Sequence, residues 1–151
     1  MSHPLLHNEQ RYVVSACLAG VNCRYDGQAT PVAAVLELLR QGRALPVCPE
    51  QLGGLGTPRP CCELQGDRVL DTQGHDVTEA FERGAAEALR LARLFGASLA
   101  ILKSRSPSCG CGQVYDGTFS GTLVPGNGLF AALLQGQEFE ILTEQDLEQT
   151  P

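Results

Sequence analysis

Apolar and polar positions along the chain alternate between two periods, and the switches between them mark the elements. Tyr12-Val13-Val14-Ser15-Ala16 is a short β-rich run that stops at Cys17. Thr30 offers a helix cap and Pro31 a first helical position. Val32, Val35, Leu36 and Leu39 then recur at helical spacing until Gly42 closes the helix. Ala44 to Val47 is a second short strand, ending at Cys48. Pro49 to Pro60 is rich in turn residues, and Glu63 to Asp71 reads as a hairpin turning at Gly66-Asp67. Asp76-Val-Thr-Glu79 has the form of a capping box and opens a long helix that Gly96 stops. Ser98 to Leu102 is a continuous apolar run, the pattern of a strand covered on both faces. A long loop rich in Gly, Ser and Pro follows from Lys103 to Gly128. Leu129 to Leu134 then predicts a short helix, Phe139 to Leu142 a last strand, and Thr143 a cap for a final helical turn.

The order β-α-β-(hairpin)-α-β-α-β predicts an α/β architecture. We expect a single Rossmann-like domain over residues 1–151, with a mostly parallel sheet, helices on both faces and a small hairpin insertion. Residues 1–10 are expected to form a flexible N-terminal segment. The 151 residues and an apolar content of 43% suit one ordinary core. Lys and Arg number 11 against 17 Asp and Glu, a net charge of −6, which disfavours sequence-independent binding to DNA. With no Trp and 5% aromatics, stacking platforms for bases are not expected. The apolar runs are too short for a membrane helix. Met1 to Arg11 is polar and lacks the apolar stretch of a secretory signal, so a cytoplasmic setting is expected.

Seven cysteines stand at 17, 23, 48, 61, 62, 109 and 111. The number is odd, and a reducing compartment makes disulfides rare. No C-x-x-C occurs, which removes the zinc-ribbon and thioredoxin-type patterns. Cys17 and Cys48 each follow a predicted strand and Cys109 lies a few residues beyond the third. Parallel strands present their carboxyl ends on one edge, where ligands bind in open α/β sheets. The three should therefore converge, either as a shared metal or cluster site or as buried structural thiols. Soft sulfur ligands select zinc, Cu(I) or an iron–sulfur cluster. A [4Fe–4S] cluster normally has four cysteines, and three would leave one iron open to substrate. Cys23 and Cys111 are candidates for a fourth ligand. His3, His7 and His75 are poor ones, lying in a terminus or a turn. Adjacent Cys61 and Cys62 do not easily face one cluster together and read as partly buried small residues near the hairpin.

Other chemistry lies near these thiols. Glu50, in Cys-Pro-Glu, has the position of a general acid or base and equally of a turn acceptor. Ser104, Ser106 and Ser108 interleave with Arg105 and Pro107, and such hydroxyls either orient a substrate or make turns. Arg59 and Lys103 are local cations in an acidic chain, suited to a substrate or to the surface. Gly53-Gly54-Leu55-Gly56 is neither a Walker loop nor a dinucleotide fingerprint.

Three long segments carry a resemblance. They are Val14-Ser-Ala-Cys-Leu-Ala-Gly-Val-Asn-Cys-Arg-Tyr-Asp-Gly27, Val47-Cys-Pro-Glu-Gln-Leu-Gly-Gly-Leu-Gly-Thr-Pro-Arg-Pro60 and Leu102-Lys-Ser-Arg-Ser-Pro-Ser-Cys-Gly110. In order and spacing they resemble the signature blocks of the TudS-type thiouracil desulfurases, small bacterial iron–sulfur proteins, and the resemblance covers nearly the whole chain. It implies one α/β domain holding a [4Fe–4S] cluster on Cys17, Cys48 and Cys109. It implies Glu50 and Ser106 as catalytic residues. Arg59, Lys103, Ser104 and Ser108 are the expected contacts to substrate. The implied reaction is non-redox removal of sulfur from a thiolated pyrimidine as base, nucleoside or nucleotide, with hydrosulfide leaving and an open iron as Lewis acid. No DNA or membrane partner is expected, and the chain is expected to be a monomer or weak homodimer. The competing expectation is a module that binds or delivers sulfur or metal without turnover. Cys61-Cys62 and Cys111 depart from the family pattern as additional thiols near the blocks.

Overall fold

The apolar runs form short strands, of which those at 12–15 and 99–102 are buried throughout. The computed structural model, which describes residues 10–148, places four of them side by side. β1 (Tyr12–Ser15), β2 (Ala44–Val47), β5 (Leu99–Leu102) and β8 (Glu140–Thr143) form one parallel sheet in the order β2-β1-β5-β8. Tyr12 and Val14 of β1, with Leu99 and Ile101 of β5, face α1 (Ala33–Arg40) and Leu147 of α5 (Glu144–Glu148). Val13, Ala100 and Leu102 face the other way, onto α3 (Thr78–Phe95) and α4 (Leu129–Gly136). The result is helix, sheet, helix in three layers, the arrangement expected for crossover connections between parallel strands. Among the described residues no helix is long and apolar enough to cross a membrane.

Two antiparallel ribbons sit outside the main sheet. β3 (Cys62–Gln65) and β4 (Arg68–Asp71) form the expected hairpin, turning at Gly66, whose φ of +61° lies in the left-handed region. β6 (Gln113–Tyr115) and β7 (Leu123–Pro125) pair within the segment expected to be loop. Glu63 is buried and ties the ribbons together by accepting from the backbone N–H groups of Gly117 and Phe119 at 3.0 and 3.1 Å.

Several element boundaries differ from expectation. α1 begins at Ala33, after Thr30 and Pro31, because the Thr30 and Val32 amides are drawn to the carbonyls of Cys17 and Leu18. α3 begins at Thr78: Asp76 accepts from the backbone and hydroxyl of Thr78 at 2.9 and 2.6 Å. The turn-rich stretch after β2 contains a one-turn helix, α2 (Pro49–Leu52). It lies on α3 with backbone against backbone. A side chain at Gly84 would run into the Pro49 carbonyl, and one at Gly53 into that of Ala80. The segment 1–9, which contains most of the expected flexible terminus, lies outside the described residues.

Candidate active site

The sheet order places a topological switch between β1 and β5, since the chain leaves β1 for β2 on one side and returns to β5 on the other. Crevices at such points, beyond the carboxyl ends of the strands, are the usual ligand sites of open α/β sheets. A cavity of about 260 Å³ lies there, lined by residues that follow β1, β2 and β5. It is small even among small-molecule pockets.

Each strand delivers a cysteine by a different device. β1 runs into a 3₁₀ turn, Ala16–Ala19, closed by Gly20 at φ +90°, and Cys17 is its second residue. Cys48 directly follows β2 and is the N-cap residue of α2, with Pro49 at the first helical position. Beyond β5 the chain folds into a tight turn in which the Gly110 amide donates to the Ser106 carbonyl at 2.8 Å. A Cβ at Gly110 would stand 2.6 Å from that carbonyl oxygen, so glycine is required there. The start of α4 holds the turn from behind. Its Leu129 amide donates to Pro107 O at 3.0 Å, and its Phe130 amide to Ser108 O at 2.8 Å. Cys109 is thereby fixed in the cavity wall.

Cys17, Cys48 and Cys109 all line the cavity; the Cys17 thiol feels the charge of Cys48, and the Cys109 thiol that of both others. Burial pushes the Cys17 thiol up to about 11, against the pull of nearby Lys103. Burial raises Cys109 further, opposed by hydrogen bonds with Ser15 and Ser108. Cys48 is the exception, lowered to about 7. A hydrogen bond from the Cys23 thiol outweighs burial there, helped by the Gln51 amide at the start of α2. Six of the seven cysteines line the cavity, Cys23, Cys61 and Cys62 included, and all seven are free thiols. Cys111 lies outside it, with Gln135 Nε2 3.6 Å from its sulfur. Among the described residues no group of three or more His, Cys, Asp or Glu side chains is placed to hold a single metal ion.

Glu50 is the second residue of α2 and lines the same cavity. Its Oε1 accepts from Arg59 Nε at 2.9 Å and its Oε2 from Ser108 Oγ at 2.9 Å. Ser106 Oγ is 3.0 Å from Ser108 Oγ and accepts from the backbone N–H groups of Ser108 and Cys109 at 3.1 and 3.0 Å. Arg59 reaches further, with Nη2 on Cys23 O at 2.9 Å and Nη1 on Gly56 O and Thr57 Oγ1. Its side chain is 6% exposed, so the guanidinium, expected from the sequence to meet substrate, is engaged by protein on each nitrogen. Lys103 and Ser104, expected in the same role, are held by Glu144. Its carboxylate accepts from Lys103 Nζ at 2.8 Å and from the Ser104 amide and hydroxyl at 2.7 Å each. The cavity wall also contains Ser15, Arg24, Tyr25, Arg105 and Tyr115, which were not singled out from the sequence. Arg24, Tyr25 and Arg105 lie inside the signature blocks, which was signal enough to find them. Tyr115 is brought in by β6, for which the sequence has no clear mark. Arg105 has φ +66°, an uncommon conformation for a side-chain-bearing residue and one that clusters at functional sites.

The sequence model for 2-thiouracil desulfurase matches residues 12–146, which contain every one of these groups. The chain belongs to the 2-thiouracil desulfurase family. Within or near that family, a Bacillus subtilis (strain 168) relative carrying the name uncharacterized protein YbbK is 39% identical over 145 residues, covering 89% of this chain and 96% of the relative. A solved structure described as the [4Fe-4S]-dependent thiouracil desulfidase TudS superposes with a TM-score of 0.88 at 43% identity, covering 94% of this chain and 95% of that one. The desulfurase signature blocks thus coincide with the walls of one cavity.

Proposed function

We propose that this chain is a [4Fe–4S]-dependent thiouracil desulfurase that hydrolyses the C=S bond of a thiolated uracil to C=O and releases hydrosulfide. The observation that carries the reading is the convergence of three strand-end thiols, Cys17, Cys48 and Cys109, on a cavity that also contains Glu50 and Ser106. The donor set fits the cofactor: three soft sulfur ligands from separate segments, partly or wholly withdrawn from water, in the wall of one cavity. When bound on those three thiolates, the cluster supplies an iron without a protein ligand, a Lewis acid for the thiocarbonyl sulfur.

The chain's own residues do the rest. Glu50 takes a proton from the attacking water, and its carboxylate is aimed by Arg59 and Ser108. Ser106 supplies a proton toward the departing sulfur. Its oxygen sits against two backbone N–H groups that stabilise charge developing there. Lys103 and Ser104 shape the wall through Glu144. The substrate is a small thiolated pyrimidine, as base, nucleoside or nucleotide, handled in the cytoplasm by a monomer or weak homodimer.

The test is anaerobic reconstitution with iron and sulfide, followed by incubation with 4-thiouracil. About four iron per chain and catalytic release of sulfide with formation of uracil support the reading. A loaded protein that binds thiouracil without turnover supports instead a sulfur-binding or delivery module.

A further inference from the structure

Resting on the desulfurase reading, we infer that Ser108 is the relay residue that joins Glu50 to Ser106, making one continuous proton path through the cavity wall. The unbroken chain of hydrogen-bond contacts carries the inference. Glu50 Oε2 accepts from Ser108 Oγ at 2.9 Å, and the same hydroxyl lies 3.8 Å from the Cys109 sulfur. The 3.0 Å contact between Ser106 Oγ and Ser108 Oγ, in which either hydroxyl can donate, continues the path. Ser106 Oγ in turn accepts the Ser108 and Cys109 amides. At the far end, Arg59 Nε holds the other carboxylate oxygen in place. Arg59 is a positioning residue: its remaining nitrogens are bound to Cys23 O, Gly56 O and Thr57 Oγ1, so the carboxylate is presented from a fixed base.

This path closes the proton balance of the reaction. Overall, C=S and water give C=O, hydrosulfide and one proton, with no net oxidation or reduction. As the C–O bond forms, Glu50 takes the first water proton. Ser106 gives its own proton to sulfur as the C–S bond breaks. Its oxygen is briefly anionic against two amides. With Ser106 emptied and Glu50 protonated, the Ser108 hydroxyl turns to give its proton to Ser106 and takes the one on Glu50, which restores both hydroxyls. The second proton, from the new hydroxyl on carbon, goes to the emptied carboxylate and then to solvent. Without Ser108 the base and the acid are each present but no longer connected.

The experiment compares wild type, Ser108→Ala and Ser108→Thr after anaerobic reconstitution. It measures iron per chain, 4-thiouracil binding by the change in thiocarbonyl absorbance, and kcat and KM for sulfide release in mixtures of H2O and D2O. We expect Ser108→Ala to keep its iron and its affinity, with KM within about twofold of wild type and kcat lower by ~10²-fold, the low end for loss of acid–base catalysis. Ser108→Thr, which keeps the hydroxyl, should recover most of the rate. Wild type should show a curved dependence of rate on deuterium fraction, the sign of more than one proton in flight, and Ser108→Ala should lose the curvature. Unchanged kcat in iron-loaded Ser108→Ala overturns the relay. If that variant loses iron, the wild-type curve and the Thr variant decide: a straight line, or an iron-loaded Thr variant as slow as one lacking the hydroxyl, overturns it equally. Wild type that releases no sulfide overturns the desulfurase reading itself, which separates the two failures.

Discussion

Two carboxylates in this protein, Glu50 half-buried and Glu144 buried, are assembled from the same parts and serve different ends. Glu50 and Glu144 each lie in a short helix that directly follows a parallel strand, β2 for one and β8 for the other. Each is paired with a cation, Arg59 at 2.9 Å and Lys103 at 2.8 Å, and each accepts from a serine in the segment after β5. The sets differ in whether they are closed. Glu144 is 5% exposed, lies outside the cavity lining and accepts from three donors supplied by Lys103 and Ser104. Burial alone would raise its carboxyl, but the bonds from Lys103 and Ser104 hold it below the usual carboxylate range. Glu50 lines the cavity, accepts from one donor on each oxygen and retains lone pairs for a reactant. A carboxylate held by three donors away from the cavity is a fastener for the loop carrying Ser104. One with fewer donors that faces a cavity is available for proton transfer.

The comparison breaks most completely at the thiols between the two sets. Replacing Cys17, Cys48 or Cys109 by Ser removes a soft sulfur from the ligand set proposed above. Each variant should reconstitute with little iron and release no sulfide above background, while Cys111→Ser should load normally. Next in size is Glu50→Gln, which keeps the shape and the contact with Arg59 but removes the base. It should lose ~10²–10⁴ in kcat with full iron content and a nearly unchanged melting temperature. Glu144→Gln should do the reverse. Weakening the buried bonds of Lys103 and Ser104 should cost about 1–3 kcal/mol, at roughly 2–4 °C per kcal/mol for a chain of this size. Iron-loaded Glu144→Gln should retain kcat within a few-fold. Because the folded-state pKa of Glu144 is depressed, its contribution is present above the ordinary Glu value of 4.5 and lost as pH falls through the lower folded value. The gap in melting temperature between wild type and Glu144→Gln should therefore close in acid. The smallest effect is expected at the exposed pair of Arg68 and Asp76, 64% and 40% exposed, which resembles the buried pairs only in charge. Arg68→Ala should change stability by less than about 1 kcal/mol and leave kcat alone.

How far all this was legible in the sequence follows the physics of each feature. The strands at 12–15, 44–47 and 99–102 are visible because a parallel strand covered on both faces needs a nearly unbroken apolar run, and few other structures do. The convergence of Cys17, Cys48 and Cys109 followed from their places after those strands. The hairpin of β6 and β7 was not visible, since its strands are three residues long and lie among Gly and Ser. α2 is hidden among Pro and Gly because it is held by close backbone contact with α3, through Gly53 and Gly84, and not by an apolar face of its own. The site's cations misled in one respect. Arg59 and Lys103 stand where a substrate contact is expected, but nothing in local sequence shows that Glu50 and Glu144 engage them. Cys61 and Cys62 read as partly buried residues by the hairpin. The first is half-buried and the second buried, with the thiol pushed up to about 12 by burial, yet both reach the cavity wall. Spacing along a chain says which residues are near one strand end. It does not say which hydrogen bonds those residues have already made.

The central claim is that one cavity holds both a cluster on three thiolates and the groups that hydrolyse a C=S bond. The most direct measurement is a single anaerobic sample of the full chain in which iron, released sulfide and uracil are counted together after addition of 4-thiouracil. The account predicts about four iron per chain and many equivalents of sulfide, matched one to one by uracil, with no external reductant. Iron-loaded protein that forms no uracil, or uracil formed equally well by protein without iron, would contradict it.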